Sequence, residues 1–210
     1  MTTTPISTAT LRTADGIDLV ADVHEPSGAA PRAGVVLSHP HPHHGGTRHH
    51  PLLVEIARLA VASQMVAIRH DFRSGPADTI AERADVVAAV AELRRRHPGL
   101  PVIGIGYSFG ALVALGSVDS AAAIDGVIAI APPLRPDSTL PVIPGGPPIH
   151  LIVPRHDQFC PPPIIEGIGT GGATVDIVEG ADHFLAGHIA TVAALAIAGA
   201  DRLLGDVDVT

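Results

Sequence analysis

From Ala33 onward the chain alternates short runs that are apolar throughout with longer segments whose apolar residues recur at helical spacing. Ala33-Gly34-Val35-Val36-Leu37-Ser38 lacks polar–apolar alternation, so it suits a strand covered on both faces. Pro51 to Ser63 sets Leu52, Ile56, Leu59 and Ala60 along one side of a helix. The same reading predicts strands at Met65 to Ile68, Pro101 to Tyr107, Gly126 to Ala131, His150 to Val153 and Ala173 to Val178. It predicts helices over Ala81 to Arg96, Phe109 to Val118 and His188 to Leu204. Ahead of them, Leu11 to Thr13 and Leu19 to Val23 flank Asp15-Gly16, a hairpin signal because Gly tolerates positive φ. Strands alternating with helices imply an α/β fold, a mostly parallel sheet flanked by helices. Right-handed crossovers then bring the C-terminal ends of the strands to one edge, where loops carry chemistry.

Composition removes whole classes of function. The 210 residues fit a single domain, 1–210, with no internal repeat and no shift in composition. Thirteen basic against 21 acidic residues give a net charge of −8, which repels phosphate backbones and argues against a nucleic-acid partner. Every basic residue is Arg, so Schiff-base chemistry and a phosphate-loop lysine are out. One Cys excludes an internal disulfide and a multi-cysteine zinc site. Aromatic residues are 2% of the chain and Trp is absent, so aromatic platforms for bases or sugars are not expected. The first ten residues lack a basic and then apolar leader, and the longest apolar run, Ile189 to Ala200, is too short to span a bilayer. A cytoplasmic protein without a membrane partner is expected, and a homodimer is compatible with the sequence. Arg94-Arg95-Arg96, before His97-Pro98-Gly99, reads as cationic capping of a helix C-terminus. Pro132 to Pro148 and Pro161 to Pro163 read as rigid loops.

The sharpest chemical signal is Gly106-Tyr107-Ser108-Phe109-Gly110, a G-x-S-x-G string. The string alone is weak. Its setting between a Val/Ile strand and a small-residue helix is the strand–turn–helix that lifts a serine hydroxyl above a sheet edge. A serine nucleophile needs a base within hydrogen-bond reach, and the base needs an acceptor that fixes its tautomer. His183, beyond the last strand, is the candidate base; His188 falls on the following helix, and Asp182 adjoins His183 too closely to grip it. Asp157, directly after a strand, is the candidate carboxylate, with Asp137 as the alternative. The order Ser108…Asp157…His183 is that of the α/β-hydrolase sheet.

Six His lie between His39 and His50, which invites a metal reading. No carboxylate or thiolate lies nearby to complete a site and the segment offers no i, i+4 pair on a helix, so neither a metal nor another cofactor is expected. The functional alternative is a loop whose backbone N–H groups face an acyl oxygen together with the N–H of Phe109. Pro40 and Pro42 have no N–H, leaving His41, His43, His44, Gly45 and Gly46, of which His41 is the choice.

The Asp-Gly hairpin, Gly-Tyr-Ser-Phe-Gly, Arg-His-Asp-Gln-Phe-Cys-Pro and Gly-Ala-Asp-His-Phe together resemble the α/β-hydrolase superfamily over residues 9 to 204. His39-Pro40-His41-Pro42…Gly45-Gly46-Thr47 is similar to its small dienelactone-hydrolase-like and serine-esterase branch. The resemblance implies eight strands with the second antiparallel, a Ser108–His183–Asp157 triad, and an oxyanion hole from the Phe109 and His41 N–H groups. Two features depart from the family. The turn Arg69 to Gly75 keeps Phe72-Arg73 but lacks a second glycine. Dienelactone hydrolases use a Cys nucleophile where this chain has Ser108, and Cys160 reads as a small loop hydrophobe. Caps of this fold usually sit between strands 6 and 7, where Pro132 to Ile149 leaves no room for one. An uncapped site suited to small-molecule, short-chain carboxylic esters is expected. Thioesters, small amides or perhydrolysis would use the same triad, and a non-catalytic binding protein with a His-rich loop is the rival from another class.

Overall fold

The computed structural model describes residues 6–207 except 120–123, 144 and 169. Eight strands form one sheet: β1 (Ile6–Arg12), β2 (Asp18–His24), β3 (Ala33–Ser38), β4 (Met65–His70), β5 (Val102–Tyr107), β6 (Gly126–Ile130), β7 (Ile149–His156) and β8 (Thr174–Asp182). Their order across the sheet is β1-β2-β4-β3-β5-β6-β7-β8. Strand β2 runs antiparallel to both β1 and β4, and the pairings from β4 to β8 are parallel. Gly16 takes the expected positive φ of 87° in the β1–β2 turn.

Five helices cover the sheet: α1 (Pro51–Ala62), α2 (Arg83–Arg96), α3 (Phe109–Gly116), α4 (Pro162–Ile168) and α5 (Ile189–Val207). The period-2 geometry of the strands divides the core in two. Val36 and Val102 join the cluster with α2, α3 and α4. Their neighbours Val35, Leu37, Ile103 and Ile105 join the cluster with α1 and α5. On β5 the positions facing α3 after Val102 are Gly104 and Gly106, so the face beside that helix is flat.

Some boundaries differ from the sequence reading. Pro161 to Pro163, expected as loop, lead into α4, with Pro162 and Pro163 as its first residues. Proline is accommodated there because first-turn N–H groups have no intrahelical acceptor in any case. Strand β8 runs four residues past Val178, and β7 carries a register shift against it between Pro154 and His156. His188 precedes α5 and does not lie on it. The three arginines lie in the last turn of α2, where they meet carboxylates: Arg95 and Arg96 bond Glu92, each at 2.7 Å, and Arg94 reaches Asp125 at 3.5 Å.

No helix is described between β6 and β7, so no cap covers this edge among the described residues. The turn after β4 is held by charge in place of its missing glycine. Arg73 is buried against Asp85, with its N–H on Oδ2 at 2.9 Å and Nε on Oδ1 at 2.8 Å, and it reaches Asp15 at 2.6 Å. Among the described residues no helix is long and apolar enough to cross a membrane.

Candidate active site

Ser108 stands between β5 and α3 with φ 53° and ψ −115°, a conformation that L residues rarely adopt. Its N–H donates to the Ile130 carbonyl of β6 at 2.9 Å, which fixes the turn to the neighbouring strand. The flanking glycines are sterically required. A Cβ on Gly106 would lie 2.1 Å from the Gly110 carbonyl oxygen, and one on Gly110 would lie 2.2 Å from that of Ser38. The first turn of α3 therefore packs backbone to backbone on the ends of β5 and β3, and the serine is held above the sheet edge.

His183 is the first residue after β8 and Asp157 the first after β7. Ser108 Oγ lies 2.9 Å from His183 Nε2, and His183 Nδ1 lies 2.9 Å from Asp157 Oδ2. An ionised carboxylate only accepts, so Nδ1 carries its proton and Nε2 is free to accept the serine O–H. The other Asp157 oxygen accepts the N–H groups of Phe159 at 2.8 Å and Cys160 at 3.1 Å. Tyr107 donates its hydroxyl to the His183 carbonyl at 2.6 Å, fixing the backbone behind the imidazole. Asp157 and His183 are both buried. Asp137 is exposed on the β6–β7 loop, so of the two sequence candidates the structure brings Asp157 to the imidazole. Cys160 is buried, and burial pushes its thiol up to about 11, which suppresses thiolate.

The His-rich segment after β3 forms a tight coil around a 3₁₀ turn at Pro42–His44. His43 N–H donates to His41 Nδ1 at 3.2 Å, and the N–H groups of His44 and Gly46 donate to the His41 carbonyl at 3.0 and 3.1 Å. Gly45 N–H donates to the Pro42 carbonyl at 3.2 Å. Four of the five candidate donors are thus consumed inside the loop. The His41 N–H has no acceptor among the described residues, nor has that of Phe109, the first residue of α3. The rings of His41 and Phe109 lie 5.0 Å apart, and both residues line the cavity that Ser108 also lines.

Beneath this loop His39 donates Nδ1–H to the Pro40 carbonyl at 2.6 Å and accepts the Phe72 N–H on Nε2 at 3.1 Å. Burial lowers its pKa, which keeps it neutral in this tautomer. Other histidines of the segment make local contacts. His50 caps α1 by accepting the Leu52 N–H at 3.3 Å, and His41 stacks on His44 at 4.7 Å. Among the described residues no three His, Cys, Asp or Glu side chains converge on a metal position.

These elements frame a cavity of about 410 Å³ over Ser108, walled by the loop after β3, the start of α3 and the segments after β7 and β8. Among the described residues no Asp, Glu or Arg side chain lines it. Of the residues singled out in the sequence, the structure brings Ser108, His183 and Asp157 into one hydrogen-bonded chain and places Phe109 and His41 in the lining of the same cavity. Sequence reasoning missed the His39–Phe72 tie, the Tyr107 anchor, and the rings of Phe159 and Phe184 at the mouth.

No protein-family model and no curated protein matches the chain. Solved structures do. A lid-less α/β serine hydrolase of Xanthomonas campestris superposes with a TM-score of 0.81 at 23% identity, covering 96% of each chain. An esterase of Pyrococcus furiosus gives 0.72 at 17% identity over 86% of this chain and 85% of its own. A dienelactone hydrolase of Anabaena variabilis gives 0.71 at 20% identity over 92% and 95%. The chain has the α/β-hydrolase fold, in its form without a cap.

Proposed function

We propose that the protein is a serine hydrolase that cleaves small carboxylic esters through an acyl-enzyme. The observation that carries this reading is the continuous Ser108–His183–Asp157 hydrogen-bond chain on a strained turn at the mouth of an uncapped cavity. His183 Nε2 takes the Ser108 proton as Oγ bonds to the ester carbonyl carbon, and the carbonyl oxygen becomes an oxyanion facing the N–H groups of Phe109 and His41. Asp157 orients the imidazole and stabilises its cation. The imidazolium then passes its proton to the departing alkoxide, so the C–O bond breaks and Ser108 is left acylated. Water repeats the cycle, with His183 as its base, and releases the acid and the free serine.

The solved neighbours described as serine hydrolases and esterases favour the same reading. The uncapped cavity favours short acyl chains, since nothing along the sheet edge sequesters a long one. The test is turnover of the 4-nitrophenyl esters of acetate, butyrate, octanoate and laurate. The reading expects acetate and butyrate to be cleaved best, with Ser108→Ala and His183→Ala reduced to the ~10³–10⁴-fold advantage over water that binding and oxyanion contacts retain. Laurate cleaved best, or Ser108→Ala fully active, contradicts it.

A further inference from the structure

The aromatic rings of this chain are concentrated at one place. It has four Phe and one Tyr, and Tyr107, Phe109, Phe159 and Phe184 line the cavity over Ser108. The remaining one, Phe72, packs edge-on against Phe109 at 5.4 Å. Two of the lining rings are left in water, Phe159 52% and Phe184 64% exposed. Their backbones are nevertheless fixed, Phe159 N–H on Asp157 Oδ1 at 2.8 Å and Phe184 N–H on Asp182 Oδ1 at 3.1 Å. Both rings stand edge-to-face against His183, with centroids 4.5 and 5.7 Å from the imidazole.

The chemistry of the proposed reaction says which half of a substrate meets them. The oxygen that departs must receive its proton from His183 Nε2, so the alcohol half of the ester extends over the imidazole. The carbonyl oxygen points the other way, toward Phe109 and His41. A group lying over His183 reaches Phe159 and Phe184, held at the spacing at which aromatic rings pair. With no carboxylate, guanidinium or ammonium in the lining, the seat suits a neutral ring.

We infer that Phe159 and Phe184 form an aromatic seat for the alcohol half of the substrate, so that the site selects esters of arylmethyl alcohols over saturated esters of equal size. This rests on the serine-hydrolase reading above and extends it to a substrate class.

Benzyl acetate and cyclohexylmethyl acetate share an acyl group, a primary alcohol and nearly a volume, and differ in the ring. The wild-type protein is expected to favour the benzyl ester about tenfold in kcat/KM, the range in which aromatic pairs contribute beyond burial. The double variant Phe159→Leu, Phe184→Leu brings the ratio close to one, while Phe159→Tyr with Phe184→Tyr keeps the preference. The benzyl to cyclohexylmethyl ratio is the readout, so a change in overall rate does not obscure it. A wild-type ratio near one with both esters hydrolysed overturns the seat and leaves the serine-hydrolase reading standing. A tenfold preference that survives the double Leu substitution also overturns it. No hydrolysis of these esters or of ethyl acetate overturns the serine-hydrolase reading, and the seat with it.

Discussion

The Nε2 of His39 accepts the Phe72 N–H at 3.1 Å, which ties the loop after β3 to the turn after β4. The Nδ1–H of the same ring holds the Pro40 carbonyl, one residue before His41. One neutral imidazole therefore helps set the position of the segment that carries His41, the proposed oxyanion donor. His39→Leu removes both bonds and leaves the Phe72 N–H unpaired in the interior, at about 1–3 kcal/mol. Because small displacements of a positioned group are costly to rate, kcat on a short-chain ester is expected to fall by about 10²-fold. Steady-state kinetics beside thermal melts check this. A lowered Tm with unchanged kcat contradicts the positioning role.

The backbone donor of His41 can be removed by a substitution that the residue's φ accommodates. Its φ of −53° lies within the range that proline imposes. His41→Pro deletes the N–H, and kcat is expected to fall by about 10²–10³-fold, the usual effect of losing one oxyanion donor. His41→Ala keeps the N–H and removes the ring, so it separates the two contributions. Equal kcat in the Pro and Ala variants contradicts the assignment of this N–H.

Ser108 stores backbone strain that its substitutions reveal. At φ 53° and ψ −115°, Ala suffers the same clash as Ser, whereas Gly does not. Ser108→Gly is expected to be more stable than Ser108→Ala by about 1 kcal/mol, or roughly 2–4 °C in Tm. Both lose the hydroxyl, so both are expected to lose turnover. A Gly variant that melts at or below the Ala variant contradicts strain at this turn.

Much of this site is legible in the sequence because its residues are specified locally. Gly106 and Gly110 have to lack a Cβ, and Ser108 lies between a strand and a helix whose apolar patterns are unmistakable. Asp157 and Asp137 cannot be separated this way, since each lies beyond a strand and only the packing of β7 on β8 decides which reaches His183. The His-rich loop is ambiguous for a different reason. Its histidines look like ligands in the sequence, but the rings of His39, His41 and His50 bond backbone groups of the loop, the turn after β4 and the start of α1. Helix α4 is hidden because its opening prolines carry the same signal as a turn. A low aromatic content argues against ring platforms on average, yet folding gathers distant residues such as Tyr107, Phe159 and Phe184 onto one cavity.

Buried neutral histidines set the response to acid. Burial lowers His70 to about 3 and, with help from the Arg69 charge, lowers His24 to about 4. His39, His50 and His150 are lowered by burial as well. Each stays neutral in the fold but takes up a proton near pH 6.5 once unfolded, so the unfolded chain binds more protons below that pH. Stability is expected to be complete above about pH 7.5 and to fall progressively from about pH 6.5 toward 4. Urea midpoints at pH 8, 6 and 5 check this, and a flat profile contradicts it. His70, with both ring nitrogens buried and lacking partners among the described residues, is the group to remove. His70→Leu is expected to gain on the wild type as pH drops, and an equal slope in both contradicts its share.

Whether Ser108 is an activated nucleophile is open to a measurement that requires no knowledge of the substrate. A fluorophosphonate phosphonylates a serine whose neighbours activate it, and intact mass counts the adducts. One adduct on the wild-type protein, mapped to Ser108 and absent from both Ser108→Ala and His183→Ala, is the predicted result. A folded wild-type protein that stays unlabelled, or a Ser108→Ala variant labelled as fully as the wild type, contradicts the hydrolase reading and turns attention to a binding role for the same cavity.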